Sequence, residues 1–477
     1  MLPLFILLLL IPFVAAGNGC WPNHALCNAT PVNGCDVRQS VNFTPGNYFL
    51  QTGIDICSPG VVVDCNGSNL SSNNPTYGSG AAGVHLLNHS ATIRNCGFTN
   101  YGVGVFGITP NNTIEYNTFN TMDRGILFYI NGNSNTIQYN SFNGITDMGI
   151  YVATTNTNSI IGNKITTNPN TLLAMGIFVL YSPGTRIISN TINVTRSYQG
   201  MYMTALSDQS VIAGNNFTGG FYGVITDTSN ANITGNKFRN NTVTALSLTI
   251  SRNLTISENL FNGNATGITF GNVSNLIIYN NYFNVRNNVW NSYTYPQNFS
   301  GLTINWSVPP QRARNIVSGP FIAGNYWNDY NGTDTNGDGI GDSPHYVDQR
   351  PIVTTPAIVV DGVPSLGNTI NFSLYTKPNA GYVLALSTNN TPPIYMQDGR
   401  SIPLAVTPLL FTSLNYPHII GLLNGTGVMD NTGFAQASIP VPNQSFLINE
   451  SVFVSYVTTN ASAINEISPP VRITVSP

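Results

Sequence analysis

The sequence contains very few charged residues. Asp, Glu, Lys and Arg make up 7% of the 477 residues, and the formal net charge is −3, whereas an ordinary globular protein is about 25% charged. Without clustered Lys and Arg the chain offers no surface for phosphates, which argues against nucleic acid as a partner. Solubility must come from Asn, Thr, Ser and Tyr, and Asn-x-Ser/Thr sequons such as Asn28, Asn193 and Asn424 predict a glycoprotein.

Long apolar runs are absent after the N-terminus. Residues 2–14 are apolar and are followed by Ala15-Ala16 before Gly17, a pattern that predicts a signal peptide over residues 1–16. The run is too short for a comfortable membrane span, and no later run is long enough. We therefore expect a secreted or cell-surface protein without a membrane span after cleavage.

One short pattern, first seen as Thr113-Ile-Glu-Tyr-Asn-Thr-Phe, is repeated along the middle of the chain at steps of 21 to 27 residues. Its apolar residues alternate at the strand period, and the unit is too short for a βαβ repeat. Such units can bury their apolar faces only by stacking on one another. The sequence therefore predicts an all-β fold whose main part is a right-handed parallel β-helix of about eleven coils. The repeated Asn is expected at a coil corner, in left-handed geometry, with its amide bonded to the next Asn. These residues are Asn117, Asn140, Asn163, Asn190, Asn215, Asn236, Asn259 and Asn281.

Carboxylates that could support catalysis are scarce. Asp123 and Asp147 occupy equivalent places in adjacent coils, with Arg124 beside them, whereas Ala174 takes that place in the next coil. Such a pair is the candidate site of a polysaccharide lyase or glycosidase. An isolated pair of stacked carboxylates more often stabilises a turn than performs catalysis. We therefore assign no catalytic residues and expect a protein that is not an enzyme.

Six cysteines in an exported chain predict three disulfides, and no Cys-x-x-Cys pair supports a zinc site. Fifteen connectivities are formally open. Two of the cysteines hold similar places in successive coils, which favours pairing them, and the remaining pairs then follow. The predicted disulfides are Cys65–Cys96, Cys35–Cys57 and Cys20–Cys27, and the segment of residues 17–60 is expected to cap the open end of the solenoid.

The repeat is interrupted after residue 281 by an aromatic, Pro-containing stretch. Two interpretations are open. Either its aromatic rings stack on sugars, or the stretch folds over the side of the coils and covers their apolar core. The second interpretation is favoured because insertions in solenoids usually pack down. The candidate sugar-stacking residues are Trp290, Tyr293, Tyr295 and Trp306.

An Asp-rich loop follows the last repeat. Oxygen ligands at alternate positions around a glycine turn are typical of calcium loops, although flanking helices and the twelfth-position Glu of an EF-hand are missing. We predict a structural calcium ion here, the alternative being a turn-rich connector. The predicted ligands are Asp334, Asn336, Asp338, the carbonyl of Ile340, and Asp342.

The repeated Asn-x-Phe coils and the closing stretch from Gly324-Asn-Tyr-Trp to Gly341-Asp-Ser-Pro resemble the NosD-type right-handed β-helix domain of many archaeal secreted and surface proteins. The resemblance covers roughly residues 36–350 and implies a periplasmic copper-binding role. Copper is disfavoured here because Met148 and Met175 are more simply core filler. His85 and His89 are expected to face solvent rather than a metal.

Residues 357–477 lack the repeat and show alternating strands between Pro and Gly turns, which predicts a β-sandwich of about seven strands. The β-helix itself is placed at residues 61–350. The chain is therefore interpreted as a surface β-helix with a structural or glycan-binding role and a polysaccharide or surface glycan as partner. The alternatives are a polysaccharide-cleaving enzyme and a NosD-like copper carrier. The oligomeric state is left open.

Overall fold

The computed structural model describes residue 20 and residues 24–75, 82–195, 198–291, 302–354, 356–460 and 463–477. The predicted signal peptide lies outside the described residues. The chain divides into two units, of which the first comprises Met1–Ile277 and Phe283–Ile304 and the second Ile278–Tyr282 and Asn305–Pro477. No helix in the described part of the chain is both long and apolar enough to cross a membrane.

Each coil contributes one strand to each of three parallel sheets. In spatial order, the first sheet contains β1 (Asp36–Val37), β4 (Ile54–Ile56), β7 (Ala82–Leu86), β10 (Val103–Gly107), β13 (Arg124–Tyr129), β16 (Met148–Ala153), β19 (Met175–Leu180), β22 (Gln199–Met203), β25 (Tyr222–Thr226), β28 (Thr244–Arg252), β31 (Thr266–Ser274) and β34 (Asn287–Asn291).

The other two sheets are built mostly from strands of three or four residues. The second sheet contains β2 (Val41–Asn42), β5 (Val62–Asp64), β8 (Thr92–Arg94), β11 (Thr113–Glu115), β14 (Thr136–Gln138), β17 (Ser159–Ile161), β20 (Arg186–Ile188), β23 (Val211–Ala213), β26 (Asn232–Thr234), β29 (Thr255–Ser257) and β32 (Leu276–Tyr279). The third contains β3 (Asn47–Phe49), β6 (Asn69–Asn74), β9 (Gly97–Tyr101), β12 (Thr118–Asn120), β15 (Ser141–Ile145), β18 (Lys164–Thr167), β21 (Thr191–Val194), β24 (Asn216–Gly219), β27 (Lys237–Arg239), β30 (Leu260–Asn262) and β33 (Tyr282–Asn284). The parallel β-helix predicted from the repeat is confirmed.

Identical positions of successive coils stack inside the helix. Ile114 pairs in register with Ile137, which pairs with Ile160, and all three are fully buried. The rings of Phe119 and Phe142 stack with centroids 4.6 Å apart. Alternation within each three-residue strand turns the middle side chain inward, so the repeated apolar residues form a continuous core.

The predicted Asn ladder is present, but its geometry differs from the expectation. The Oδ1 atom of Asn140 accepts from the backbone N–H of Asn117 at 2.9 Å, and Oδ1 of Asn163 accepts from that of Asn140 at 3.0 Å. The residue before each Asn takes the positive φ, as Tyr116 at 56° and Tyr139 at 54° do. Left-handed geometry was therefore predicted for the wrong residue, because the Asn needs an ordinary backbone to turn its amide into the buried corner.

The disulfides only partly match the prediction. Cys65–Cys96 is present, with Cα atoms 4.8 Å apart. Two predicted pairs, Cys35–Cys57 and Cys20–Cys27, are wrong, because the chain forms Cys20–Cys57 and Cys27–Cys35. The physical reason is a short parallel bridge of Leu26 with Asp36, which lays the first segment beside β1. Strands β1 to β4 already lie within the segment predicted as a cap.

The second unit ends in antiparallel sheets that are consistent with the predicted sandwich. Before them lie β35 (Ile304–Asn305), β36 (Gln311–Arg312), β37 (Phe321–Ile322) and β38 (Tyr326–Trp327). One sheet has the order β39 (Ala357–Asp361), β40 (Thr369–Tyr375), β45 (Phe434–Pro440). The other has β44 (Thr426–Val428), β41 (Gly381–Ser387), β46 (Ser451–Asn460), β47 (Ala463–Ile467), with β48 (Val471–Thr474) on β46. A hairpin joins β42 (Ile394–Tyr395) to β43 (Ser401–Ile402). Phe372, Leu384 and Tyr456 are among the residues of the buried core.

Three helical turns accompany these sheets and were not predicted from the sequence. They are the helix α1 (Pro408–Asn415) and the 3-10 turns η1 (Pro417–Ile420) and η2 (Ser445–Leu447). Thr407 caps α1, since its hydroxyl accepts from the N–H of Leu410, and Pro408 occupies the first turn. The Ser413 hydroxyl accepts from the N–H of Leu386, which attaches α1 to β41.

Candidate functional site

One line of side chains runs along the outward face of the first sheet, and we call it the outer line. The strand register places one residue of each coil in it. Its chemistry changes along the sheet from acidic and imidazole groups, through buried apolar rings, to hydroxyls and an indole. In order, the residues are Asp36, Asp55, His85, Phe106, Leu127, Tyr151, Phe178, Tyr202, Ile225, Ser247, Thr269 and Trp290.

The hydroxyl end of the outer line forms a cleft of about 540 Å³. Its lining residues include Tyr222, Thr244, Ser247, Thr269 and Trp290. The hydroxyls of Thr244 and Thr269 are hydrogen-bonded at 2.9 Å. Burial is the main cause that raises the pKa of Tyr222, with Tyr198 adding to it, so this phenol stays protonated. The cleft thus combines uncharged hydrogen-bonding groups with an exposed indole ring.

The structure separates the predicted sugar-stacking residues. Trp290 lies in the cleft and is 39% exposed. Trp306 is only 3% exposed, its ring lies 5.6 Å from that of Trp327, and its carbonyl accepts from Asn325 at 2.8 Å. Trp306 is therefore not available to stack on a sugar, because this indole packs inside the second unit, in line with the favoured interpretation that the stretch packs down. Tyr293 and Tyr295 lie outside the described residues.

The candidate catalytic carboxylates do lie on adjacent coils. The N–H of Asp147 donates to the carbonyl of Asp123 at 3.0 Å. The Asp147 carboxylate accepts from Nε of Arg124 at 2.6 Å, and the Asp123 carboxylate accepts from the hydroxyl of Thr146. The Arg124 guanidinium also lies 5.3 Å from the centre of the Tyr151 ring. The arrangement is an ion pair beside an aromatic ring, with each carboxylate already accepting a hydrogen bond.

The predicted calcium loop is organised by hydrogen bonds to its own backbone. The carboxylate of Asp334 accepts from the N–H groups of Gly337 at 2.9 Å and Gly339 at 2.9 Å. The Asp342 carboxylate accepts from Thr335 at 2.9 Å, and this bond is the main cause that lowers its pKa. Asp338 accepts from the N–H of Ile340 at 2.8 Å and from the amide of Asn336 at 2.9 Å.

One cluster of residues whose side chains can bind a metal ion was not predicted from the sequence. Among the described residues, His24, Asp36 and Asp55 form the one group of three or more such residues whose ligand atoms lie within 4.8 Å of one another. The carboxylates of the calcium loop therefore do not form such a group, and calcium stays a prediction. Asp55 and His85 each stand between two apolar residues of a strand, a pattern that signals a polar group on the outer line.

His85 contradicts its prediction, because its side chain is fully buried rather than solvent-facing. Its Nδ1 atom lies 2.9 Å from Oδ1 of Asp55, the residue paired with it on the adjacent strand β4. The ring packs edge-on against Phe106, with centroids 6.4 Å apart. Periodicity placed the residue on the outer face, but it does not reveal whether that face is covered.

Two family models match the chain. A model described as periplasmic copper-binding protein (NosD) matches residues 162–332, and one described as right handed beta helix region matches residues 52–192. None of the curated proteins matches the chain. The three parallel sheets and the second match define a right-handed parallel β-helix protein. With the first match, they show that the chain carries a β-helix of the NosD type.

Several solved structures are similar to this chain at low identity. A periplasmic alginate epimerase double mutant is 14% identical, with 57% of this chain and 75% of that chain covered and a TM-score of 0.45. The enzymatically active domain of bacteriophage CBA120 tailspike protein 2 is 14% identical, with 94% and 71% covered and a TM-score of 0.42. The catalytic domain of a GH87 alpha-1,3-glucanase in complex with tetrasaccharides is 12% identical, with 56% and 64% covered and a TM-score of 0.39. The function of this chain therefore has to be argued from its own residues.

The copper implied by the family description does not fit the sulfur atoms of this chain. All six cysteines form disulfides, so none is free to offer a thiolate. Met148 and Met175 belong to the apolar cluster on the outer face of the first sheet, and Sδ of Met175 lies 3.0 Å from the amide nitrogen of Gln199. Soft thioether ligands for copper(I) are thus used in packing.

Proposed function

We propose that the protein is an exported β-helix that binds polysaccharide chains or surface glycans in the cleft at the hydroxyl end of the outer line. The observation that carries this proposal is the exposed Trp290 beside a row of hydroxyls in one groove. An indole face packs against the apolar C–H face of a sugar ring. The disulfides of this chain support export, because such bonds persist in oxidising compartments.

The chemistry of the cleft favours an uncharged sugar chain. Its polar lining consists of hydroxyls and amides, among them Thr244, Thr266, Thr269 and Asn287, and none of the described lining residues carries a charge. Hydroxyls both donate and accept hydrogen bonds, which matches the hydroxyls of a hexose. A uronate chain would bring carboxylates to a groove without a cation to pair them. We therefore expect neutral polysaccharides to bind better than acidic ones.

The experiment follows co-sedimentation of the full chain with neutral and acidic polysaccharides, together with the appearance of new chain ends. Trp290→Ala should weaken binding roughly fivefold to thirtyfold, equivalent to about 1–2 kcal/mol. Tyr395→Ala is the matched control, because Tyr395 is an aromatic residue with 77% exposure in the second unit. Equal binding by the Trp290→Ala variant, or no binding by the native chain, would contradict the proposal.

Polysaccharide cleavage is the second candidate function, and the ion pair of Arg124 and Asp147 beside Tyr151 favours it. The Asp147 side chain is 32% exposed and therefore accessible to a substrate. New chain ends that disappear when Asp123 and Asp147 are both replaced by Asn would support a hydrolase or lyase. New ends that persist in this variant would assign the cleavage to other residues.

A further inference from the structure

The acidic and imidazole end of the outer line is a second site, far in sequence from the cleft. Asp36 on β1 and Asp55 on β4 are in register on adjacent strands, and they are 0% and 2% exposed. Nδ1 of His24 lies 3.2 Å from Oδ1 of Asp36. Two carboxylates and an imidazole thus meet in a largely buried place, where charged groups are costly unless they are paired.

Pairing inside the cluster is incomplete. Arg38 donates to Oδ2 of Asp36 at 2.8 Å, so this carboxylate has a cationic partner. Asp55 has His85 on its Oδ1 atom at 2.9 Å. Its Oδ2 atom is buried and has no hydrogen-bond partner among the described residues. A buried carboxylate oxygen without a partner destabilises the fold, which points to a missing positively charged group.

The geometry points to a site for a divalent transition-metal ion of the zinc class, held by His24, Asp36 and Asp55. One ligand atom from each residue lies within 4.8 Å of the others, and Nδ1 of His24 is 3.2 Å from Oδ1 of Asp36, so a small closing movement of the side chains brings all three to about 2.0–2.2 Å from a single ion. An imidazole with two carboxylates is a donor set that zinc accepts. The fourth position would be open to water, since the His24 side chain is 25% exposed.

His85 is a positioning residue in this site. Its Nδ1–H donates to Oδ1 of Asp55 and so fixes the carboxylate that presents Oδ2 to the ion. Such carboxylate and histidine contacts outside the ligand shell typically change metal affinity about 10–100-fold. Since His85 is fully buried against Phe106, the contact is held rigidly.

The disulfides hold the ligands in place before any ion binds. His24 lies between Cys20 and Cys27, which bond to Cys57 and Cys35 respectively. Those partners directly follow the strand of Asp55 and precede Asp36 in the sequence. The N–H of Cys27 also donates to the carbonyl of Asp36 at 2.9 Å. The segment that carries His24 is therefore attached to both strands that carry the carboxylates of the site.

The test titrates zinc chloride into the untagged full chain after dialysis against a chelator, by calorimetry. We expect one ion per chain, because the three ligand atoms lie around a single position. His24→Ala should weaken binding about tenfold or more. His89→Ala is the matched control, since His89 is an exposed imidazole outside the cluster.

Asp55→Asn provides a second variant that keeps the shape of the side chain while removing its charge. It should lose zinc binding, whereas circular dichroism should show the same β-sheet signal as the native chain. If Asp55→Asn does not fold, the partly exposed His24→Ala alone decides. No binding by the native chain, or equal affinity in the native chain and His24→Ala, would overturn the site.

Discussion

At the scale of single residues, the few charged groups matter because several are buried. Asp227 follows β25, and its Oδ1 atom is buried without a hydrogen-bond partner among the described residues. Burial is the main cause that raises its pKa to about 6, and the nearby charge of Asp208 adds to the effect. Asp208 itself accepts from the N–H of Ser229 at 2.8 Å. Asp227 is thus a carboxylate that destabilises the folded chain when it is ionised.

The pKa of Asp227 gives a prediction with a definite sign. In the folded state it lies at about 6, above the ordinary value of 3.8. The stability contributed by the protonated group is therefore fully present below pH 3.8 and is lost as the pH rises through about 6. Asp227→Asn should raise the free energy of unfolding near neutral pH, by an amount on the order of 2 kcal/mol.

Urea unfolding at several pH values between about 4 and about 7 checks this prediction. The native chain should lose stability across this window relative to the Asp227→Asn variant, whereas the two should converge at the acidic end. Asp398→Asn is the control, because hydrogen bonds from Arg400 lower the pKa of Asp398 and its effect falls at lower pH. A constant difference between the native chain and Asp227→Asn would refute the shift.

At the scale of repeated elements, the Asn ladder replaces part of the stabilisation that a larger core would give. Asn163 illustrates the arrangement. Its Oδ1 atom accepts from both nitrogen atoms of Asn140, each at 3.0 Å, and its amide donates to Ile137 at 2.9 Å and to Asn190 at 3.0 Å. Each ladder residue therefore satisfies buried backbone groups of the neighbouring coil.

Removing one ladder residue should cost far more than removing a surface Asn. Asn163→Ala removes the acceptor of the buried N–H of Asn140 and one donor to the carbonyl of Ile137, so we expect a loss of about 2–4 kcal/mol in the free energy of unfolding. Asn170→Ala, at an exposed position of the same coil, should change it by less than about 0.5 kcal/mol. Chemical denaturation measures both, and similar values for the two variants would mean that the ladder does not stabilise the coils.

The Asp-rich loop of the second unit supports a separate proposal, that it binds a structural calcium ion. Asp334 is engaged by backbone amides, whereas Asp338 and Asp342 carry oxygens nearer the surface. Binding to the folded state should raise the melting temperature with calcium concentration, and Asp338→Ala with Asp342→Ala should remove the rise. A melting temperature that neither calcium nor a chelator changes would leave the loop as a connector closed by its own hydrogen bonds.

At the scale of the whole molecule, the sequence predicts the features that recur from coil to coil, whereas features outside the repeat were not predicted. The stacked coils follow from the alternation of apolar and polar residues within each short strand. Ile114 and the residues at the same position of other coils are buried together only when the coils stack. The partners of Cys20 and Cys27 belong to a segment without the repeat, so spacing alone did not reveal them. Trp290 and Trp306 both lie in the aromatic stretch, yet only Trp290 lines the cleft. The amino-acid composition identifies the aromatic stretch. It does not reveal which of the two indole rings is buried, because burial depends on contacts from distant parts of the chain.

The distribution of disulfides predicts that reduction acts on one end of the chain. All three join residues between Cys20 and Cys96, closing separations of 37, 8 and 31 residues, and each is typically worth about 2–4 kcal/mol. In a solenoid, each coil is stabilised mainly by its neighbours, so the loss should stay local.

Hydrogen exchange followed by mass spectrometry tests this directly. After reduction, amides of β1 to β9 should exchange faster, whereas those of the antiparallel sheets between residues 357 and 474 should be unchanged. The control is the same chain with the oxidised form of the reductant, which leaves the disulfides intact. Loss of protection throughout both units on reduction would show that the chain unfolds as one cooperative body, and nearest-neighbour stability of the coils would then be the wrong description.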